Sequence, residues 1–149
     1  VPLWAGQIFT AGQAERLQPV PYIAPASSPL TSTTATYADI PGCSITLNTK
    51  AANARYVANA TFDCNVGNTS PTILMVGRML VDGNPDSGLA IKGMVVADRA
   101  TVHMQWQGIL SAVGSHTFKL QGALTAALAT GGTFQQTDTK LQVTISEVP

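Results

Sequence analysis

Charge is what this sequence has least of. Asp, Glu, Lys and Arg make up 11% of its 149 residues, less than half the usual ~25%. The basic residues are scattered as Arg16, Lys50, Arg55, Arg78, Lys92, Arg99, Lys119 and Lys140. No cluster of them can neutralise a row of phosphates, which excludes nucleic acid as a partner. Long apolar runs are also missing. None reaches the ~20 residues that a membrane-spanning helix needs, so no membrane insertion is expected. The N-terminus carries no basic region followed by an apolar stretch and does not read as a signal peptide. Cysteine and histidine are scarce too: Cys43, Cys64, His103 and His116 are all there are. Two cysteines without a histidine at ligand spacing do not make a zinc site, and neither metal nor cofactor is expected. Both cysteines fall on the apolar parity of predicted strands, where one disulfide and two buried thiols both remain open.

Hydrophobic residues are at an ordinary 45%, so the missing charge is replaced by Thr, Ser, Ala, Asn and Gln. Such a surface repels its own copies only weakly and suits an assembly component. The chain divides near residue 30. Residues 1–29 hold Pro2, Pro19, Pro21, Pro25 and Pro29 among short apolar patches. Within them "TAGQAERL" predicts one short helix, with Thr10 and Gln13 in capping-box spacing and Pro19 stopping it. "PVPYIAPASSP" then predicts an extended segment. Leu3, Trp4, Ile8, Phe9, Leu17, Tyr22 and Ile23 make this arm apolar without giving it a core. They need a surface elsewhere: either they fold back on their own domain or, as expected here, they anchor on another subunit or particle.

From Thr31 onward the pattern is β. In "CSITLN", Cys43, Ile45 and Leu47 alternate with Ser44, Thr46 and Asn48. In "RYVANATFDCNV", Tyr56, Ala58, Ala60, Phe62, Cys64 and Val66 share one parity. Period two over that length is a half-buried strand. "ATVHMQWQGIL" sets Val102, Met104 and Trp106 against His103, Gln105 and Gln107; "KLQVTISEV" points Leu141, Val143 and Ile145 inward. "TILMVGRMLVD" differs, being apolar on both faces: Ile73, Met75, Met79 and Val81 on one, Leu74, Val76 and Leu80 on the other with Arg78. A doubly apolar strand is covered twice, so Leu74, Val76 and Leu80 are expected to form a subunit interface. With turn signals between eight or nine strands, the expected fold class is all-β: an antiparallel jelly-roll sandwich over residues 30–149, with an extended N-terminal arm carrying one short helix.

Groups that resemble chemistry have simpler readings. Ser115 and His116 are neighbours with Asp138 further on, yet adjacent strand residues point to opposite faces, and no Gly-x-Ser-x-Gly elbow surrounds the serine. "VGSHTF" reads as a Gly-Ser turn entering a strand, and no catalytic residue is expected. "DGNPDSG" alternates Asp82, Asn84 and Asp86 like a calcium loop, but Ser87 and Gly93 stand where that motif needs Gly and Glu. It reads as a hairpin turn. Trp106, by parity, reads as core rather than as a sugar platform.

In combination, "SSPLTSTTATYADIPGCSITLNT", "ARYVANATFDCNV", "LVDG", "GSHTFKLQ" and "LQVTISEV" resemble the small β-sandwich proteins of tailed bacteriophages, whose jelly rolls are similar to the tumour necrosis factor and C1q families. "WAGQIFTAGQAERLQP" resembles the leading segments of short virion proteins in phages of actinobacteria. The resemblance implies a homotrimeric virion structural protein, a capsid decoration or head appendage bound to the major capsid protein or another virion protein. It implies a location on the outer surface of the capsid or on the tail. The alternative it leaves open is a tail-fibre or baseplate module recognising a host-surface glycan, with Tyr37, Trp106 and Phe134 as the aromatic candidates.

Overall fold

The computed structural model describes residues 10–12, 14, 18–67, 73–95, 97–128 and 130–147. They form eleven strands: β1 Val20–Pro25, β2 Leu30–Ser32, β3 Ala38–Thr49, β4 Ala54–Val66, β5 Ile73–Val81, β6 Asn84–Pro85, β7 Ala90–Met94, β8 Asp98–Leu110, β9 Gly114–Leu124, β10 Gly132–Phe134 and β11 Lys140–Ser146. A six-stranded sheet runs β1-β11-β4-β10-β2 with β8 on the other side of β4, and a five-stranded sheet runs β3-β9-β5-β6 with β7 also on β5. Every pairing is antiparallel. The result is an all-β jelly-roll sandwich, as the alternation predicts.

Most of the parity readings hold, although Thr61 and Asp63, on the polar parity of β4, are buried. Cys43, Ile45 and Leu47 are buried while Ser44, Thr46 and Asn48 are exposed. Phe62, Phe118, Leu120, Phe134, Leu141 and Val143 meet between the sheets with no exposure. The core is kept thin by glycine. Gly77 and Gly122 are register partners on β5 and β9, and Ala90 continues the row on β7. A Cβ on Gly77 would overlap the Phe62 ring, and one on Gly122 the Phe134 ring. Phe62 and Phe134 cross the gap from the other sheet as an edge-to-face pair, 6.0 Å between centroids at 68°, an arrangement favoured by the ring quadrupoles. Glycine within a strand marks such close approach.

The sandwich also takes in part of the predicted arm. Residues 20–25 are β1, paired with β11 from Val20↔Ile145 to Pro25↔Lys140. Tyr22 packs against the core, while Ile23 is 65% exposed. Pro21 and Pro25 are tolerated because β1 is the sheet's edge strand. Leu3, Trp4, Ile8, Phe9 and Leu17 lie outside the described residues, as do positions 13 and 15–17 of the predicted helix; within the rest, Ala14 N–H donates to the Thr10 carbonyl at 3.0 Å. "DIPG" forms an irregularity in β3, where the register to β9 shifts between Asp39 and Ser44. β2, β7 and β10 are short strands without clean alternation and are not legible as period-two runs.

Both cysteines are free and buried, which resolves the alternatives. Burial pushes the Cys43 thiol up to about 11 and the Cys64 thiol up to about 12, the latter helped by the neighbouring Asp63 carboxylate. Since the thiolate is the nucleophile, neither thiol is expected to react with iodoacetamide in the native protein at neutral pH, and both are expected to react after unfolding; intact-mass spectrometry reads this directly. For the glycine row, Gly122→Ala and Gly77→Ala are each expected to lose about 1–3 kcal/mol in urea titration through overpacking. Gly67→Ala, with open space around it, is expected to change stability by less than about 0.5 kcal/mol.

Candidate functional site

The Ser115–His116 pair sits at the entry to β9, which begins at Gly114 with φ +127°. Ser115 is exposed and His116 buried, on opposite faces as strand geometry requires. Asp138 is remote from both in role, contributing instead to the field at Arg99. The partner of His116 is Asp82. His116 Nδ1 lies 2.7 Å from Asp82 Oδ2, and Nε2 lies 3.1 Å from the Ala112 carbonyl oxygen. Both ring nitrogens face acceptors, so the protonated ring can donate to both, an arrangement that favours the imidazolium. Burial opposes that charge, but the Asp82 carboxylate and the Ala112 carbonyl outweigh it, and the His116 pKa is raised. Asp82 Oδ1 also accepts from Thr117 N–H at 2.7 Å. The histidine joins two turns at one end of the sandwich.

The acidic loop is a turn and a plug. Asp82 and Gly83 have φ of +52° and +81°, the pattern of a two-residue hairpin that Asp-Gly favours. The carboxylates that alternate in sequence diverge in space. Asp82 is held by His116, whereas Asp86 accepts the Tyr56 hydroxyl at 2.6 Å and Ser87 N–H at 2.7 Å. Trp106, buried as expected, donates through Nε1 to the Gly88 carbonyl at 3.3 Å. Tyr56 and Trp106 thereby tie the loop over the open end of the core.

The two outer sheet faces differ in chemistry. On the six-stranded sheet, register rows set Gln142, Asn59 and Gln105 side by side, then Thr144, Val57 and Gln107. These positions carry no charge. A shallow depression of about 300 Å³ lies among Asn59, Thr61, His103 and Gln105, with Thr61 Oγ1 and His103 Nδ1 3.0 Å apart. Toward the end of this sheet, Arg99 reaches Asp63 through Nε at 2.9 Å and Nη2 at 2.6 Å, neutralising a carboxylate that is 1% exposed. A larger cleft of about 450 Å³ at the β1 edge includes Val20, Tyr22, Lys50 and Glu147 in its walls. Glu147 Oε1 there accepts Lys50 N–H at 2.8 Å.

On the five-stranded sheet, the outer face of β5 carries Leu74, Val76, Arg78 and Leu80. Val76 is already covered within the chain, Leu80 is half-buried and Leu74 is exposed. Exposed Leu89 and Ile91 extend this apolar surface. Arg78 lies over Tyr37, which sequence reasoning considered only as a sugar platform. Of the other aromatic candidates, Trp106 and Phe134 are core. The Arg78–Tyr37 pair was hidden because Tyr37 precedes β3, and no strand parity relates it to β5.

No family model matches the chain, and no curated protein matches it. Solved structures do. The Eiger TNF of S. frugiperda superposes with a TM-score of 0.55 at 8% identity, over 88% of this chain and 94% of that one. Murine APRIL, in its crystal structure at pH 5.0, gives a TM-score of 0.51 at 8% identity, over 85% and 98%. The chain therefore shares a TNF-like jelly-roll fold.

The imidazolium carries a pH prediction. A raised histidine pKa stabilises the fold fully below the ordinary value of about 6.5, and that contribution is lost as pH rises through the folded value. Asp82 is partly exposed and solvent-screened; burial raises its pKa, but hydrogen bonds from His116 and Thr117 bring the net shift down. Its contribution is therefore lost only in acid. The melting temperature is expected to fall as pH rises from about 6 through the raised His116 value. His116→Gln is expected to flatten that step and to cost about 1–2 kcal/mol at about pH 6, read by calorimetry across pH.

Proposed function

We propose that the protein is a structural component of a tailed-bacteriophage particle, a homotrimer of jelly rolls displayed on the outer surface of the capsid. The segment preceding β1, with Leu3, Trp4, Ile8, Phe9 and Leu17, docks on the major capsid protein or another virion protein, and exposed Ile23 on β1 extends that contact. The observation that carries the reading is the uncharged centre of the outer face of the six-stranded sheet, the rows of Gln142, Asn59 and Gln105 and of Thr144, Val57 and Gln107, with Arg55 toward one end and Lys140, Arg99 and Asp63 toward the other. Charges buried between copies would have to be desolvated and paired; rows of amides, hydroxyls and one valine avoid most of that cost, and they can hydrogen-bond to a neighbour. In a closed ring of three, this face meets a different surface of the next copy. The low charge of the whole chain favours the same behaviour.

A second reading rests on the same face. The depression among Asn59, Thr61, His103 and Gln105 offers amide, hydroxyl and imidazole groups suited to sugar hydroxyls. This supports a tail-fibre or baseplate module for a host-surface glycan. Because one surface serves both readings, they separate experimentally.

Light scattering of the full chain is expected to give three times the monomer mass. The exposed double substitution Asn59→Arg with Gln105→Arg is expected to give monomer with an unchanged circular-dichroism spectrum. A wild-type monomer that binds a glycan array, and loses binding on Gln105→Arg, replaces the first reading with the second. Antibody labelling of purified particles is expected to mark the capsid surface.

A further inference from the structure

Arg78 is held in one orientation by its neighbours. Its Cζ stands 3.8 Å from the centroid of the Tyr37 ring. Its Nε donates to Gln121 Oε1 at 2.8 Å. Gln121 is fixed in turn, with Nε2 donating to Asp39 Oδ1 at 2.7 Å, and the other Asp39 oxygen accepts from Lys119 Nζ at 2.8 Å. Every link in this chain restrains the guanidinium, which lies half-buried. Yet neither Nη nitrogen hydrogen-bonds to any described residue, and no described carboxylate comes within ion-pair distance. Asp39, the nearest acid in this network, is committed to Lys119 and Gln121. The cluster thus sets two cations against one carboxylate.

An aliphatic shelf adjoins the fork. One register row along β5, Val76 lies between Ile91 of β7 and Ala123 of β9, and Leu74 follows in the next row. Successive rows on one face are about 7 Å apart. Leu74 and Ile91 are 40% and 52% exposed. A pre-oriented guanidinium edge matches the planar, two-oxygen geometry of a carboxylate. The shelf matches a branched aliphatic group attached to it. A sugar acid would find the fork but no stacking platform, since Arg78 occupies the face of Tyr37.

We propose that the outer face of β5 is a docking site for a polypeptide segment of another protein, one presenting a carboxylate beside an aliphatic side chain. The carboxylate is received by Nη1 and Nη2 of Arg78, and the aliphatic group lies on the exposed Leu74 and Ile91, which flank the covered Val76. Arginine with an aromatic neighbour at the centre of an apolar patch is the composition of interface anchor points. The site lies on the sheet opposite to the one proposed for contact between copies.

The test is a titration of the isotope-labelled full chain with N-acetyl-leucine at neutral pH, followed by NMR of the arginine Nε–H and of the leucine and isoleucine methyl groups. Saturable shifts are expected at Arg78, Leu74 and Ile91, with a Kd of roughly 1–10 mM for so small a probe. N-acetyl-leucinamide, without the charge, is expected to give none. Arg78→Lys keeps the charge but loses the fork and is expected to weaken binding about tenfold; Gln121→Leu, which frees Nε, is expected to weaken it too, with the amide spectra of both showing a retained fold. Absence of saturable shifts up to about 50 mM, or an equal response to the amide, overturns the proposal. So does N-acetylneuraminate shifting Arg78 without the methyl groups, which reassigns the fork to an acidic sugar. A lower oligomer mass for Arg78→Lys assigns it to a contact between copies and overturns it equally.

Discussion

The seating of two aromatic rings over two glycines governs the rest of this structure. Phe62 and Phe134 project from one sheet onto Gly77 and Gly122 of the other. Any side chain at either glycine would force the sheets apart locally. The same contact fixes register, because Gly77 opposes Gly122 only in one alignment of β5 with β9. A slip by one residue would turn every side chain of β5 to the wrong face. The alignment that admits the rings is also the one that sets Arg78 beside Gln121 and Val76 beside Ala123. The outer surface of β5 is therefore a by-product of inner packing, and its composition can change without disturbing the core.

Polar groups in this protein mostly close ends. His116 and Asp82 join neighbouring turns, Tyr56 and Trp106 tie down the loop after β5, and Arg99 neutralises Asp63. Each is a charged or hydrogen-bonded contact made where the sandwich would otherwise open to water, where an unpaired buried group is expensive. Of the residues that suggest hydrolysis or calcium binding, His116, Asp82 and Asp86 are engaged in holding loops.

Strand alternation made the long strands and most of the core legible in the sequence. Cys43, Ile45, Leu47, Leu141, Val143 and Ile145 could be placed because one face of each strand is solvated. β2, β7 and β10 could not, because they are too short for a period to emerge and are defined by the strands they join. The arm boundary was misleading for a related reason. Prolines at 19, 21 and 25 signal a break, whereas on an edge strand they are compatible with pairing, and Val20–Pro25 joins β11. A glycine inside "MVGRM" signals close approach of something, but not of Phe62. The cation over Tyr37 is a contact between distant segments that only the fold brings together.

The prolines of β1 have a further consequence. A sheet edge exposes a row of backbone donors and acceptors that another strand can complete, and such edges seed sheet-to-sheet fusion when molecules are crowded. Proline is accommodated in a strand where its missing donor faces away from the sheet, so Pro21 and Pro25 strip that rim of part of its bonding capacity. Many copies held side by side at high local density would be unable to zip together along this rim. The residues that looked like the end of order in the sequence act as its insulation.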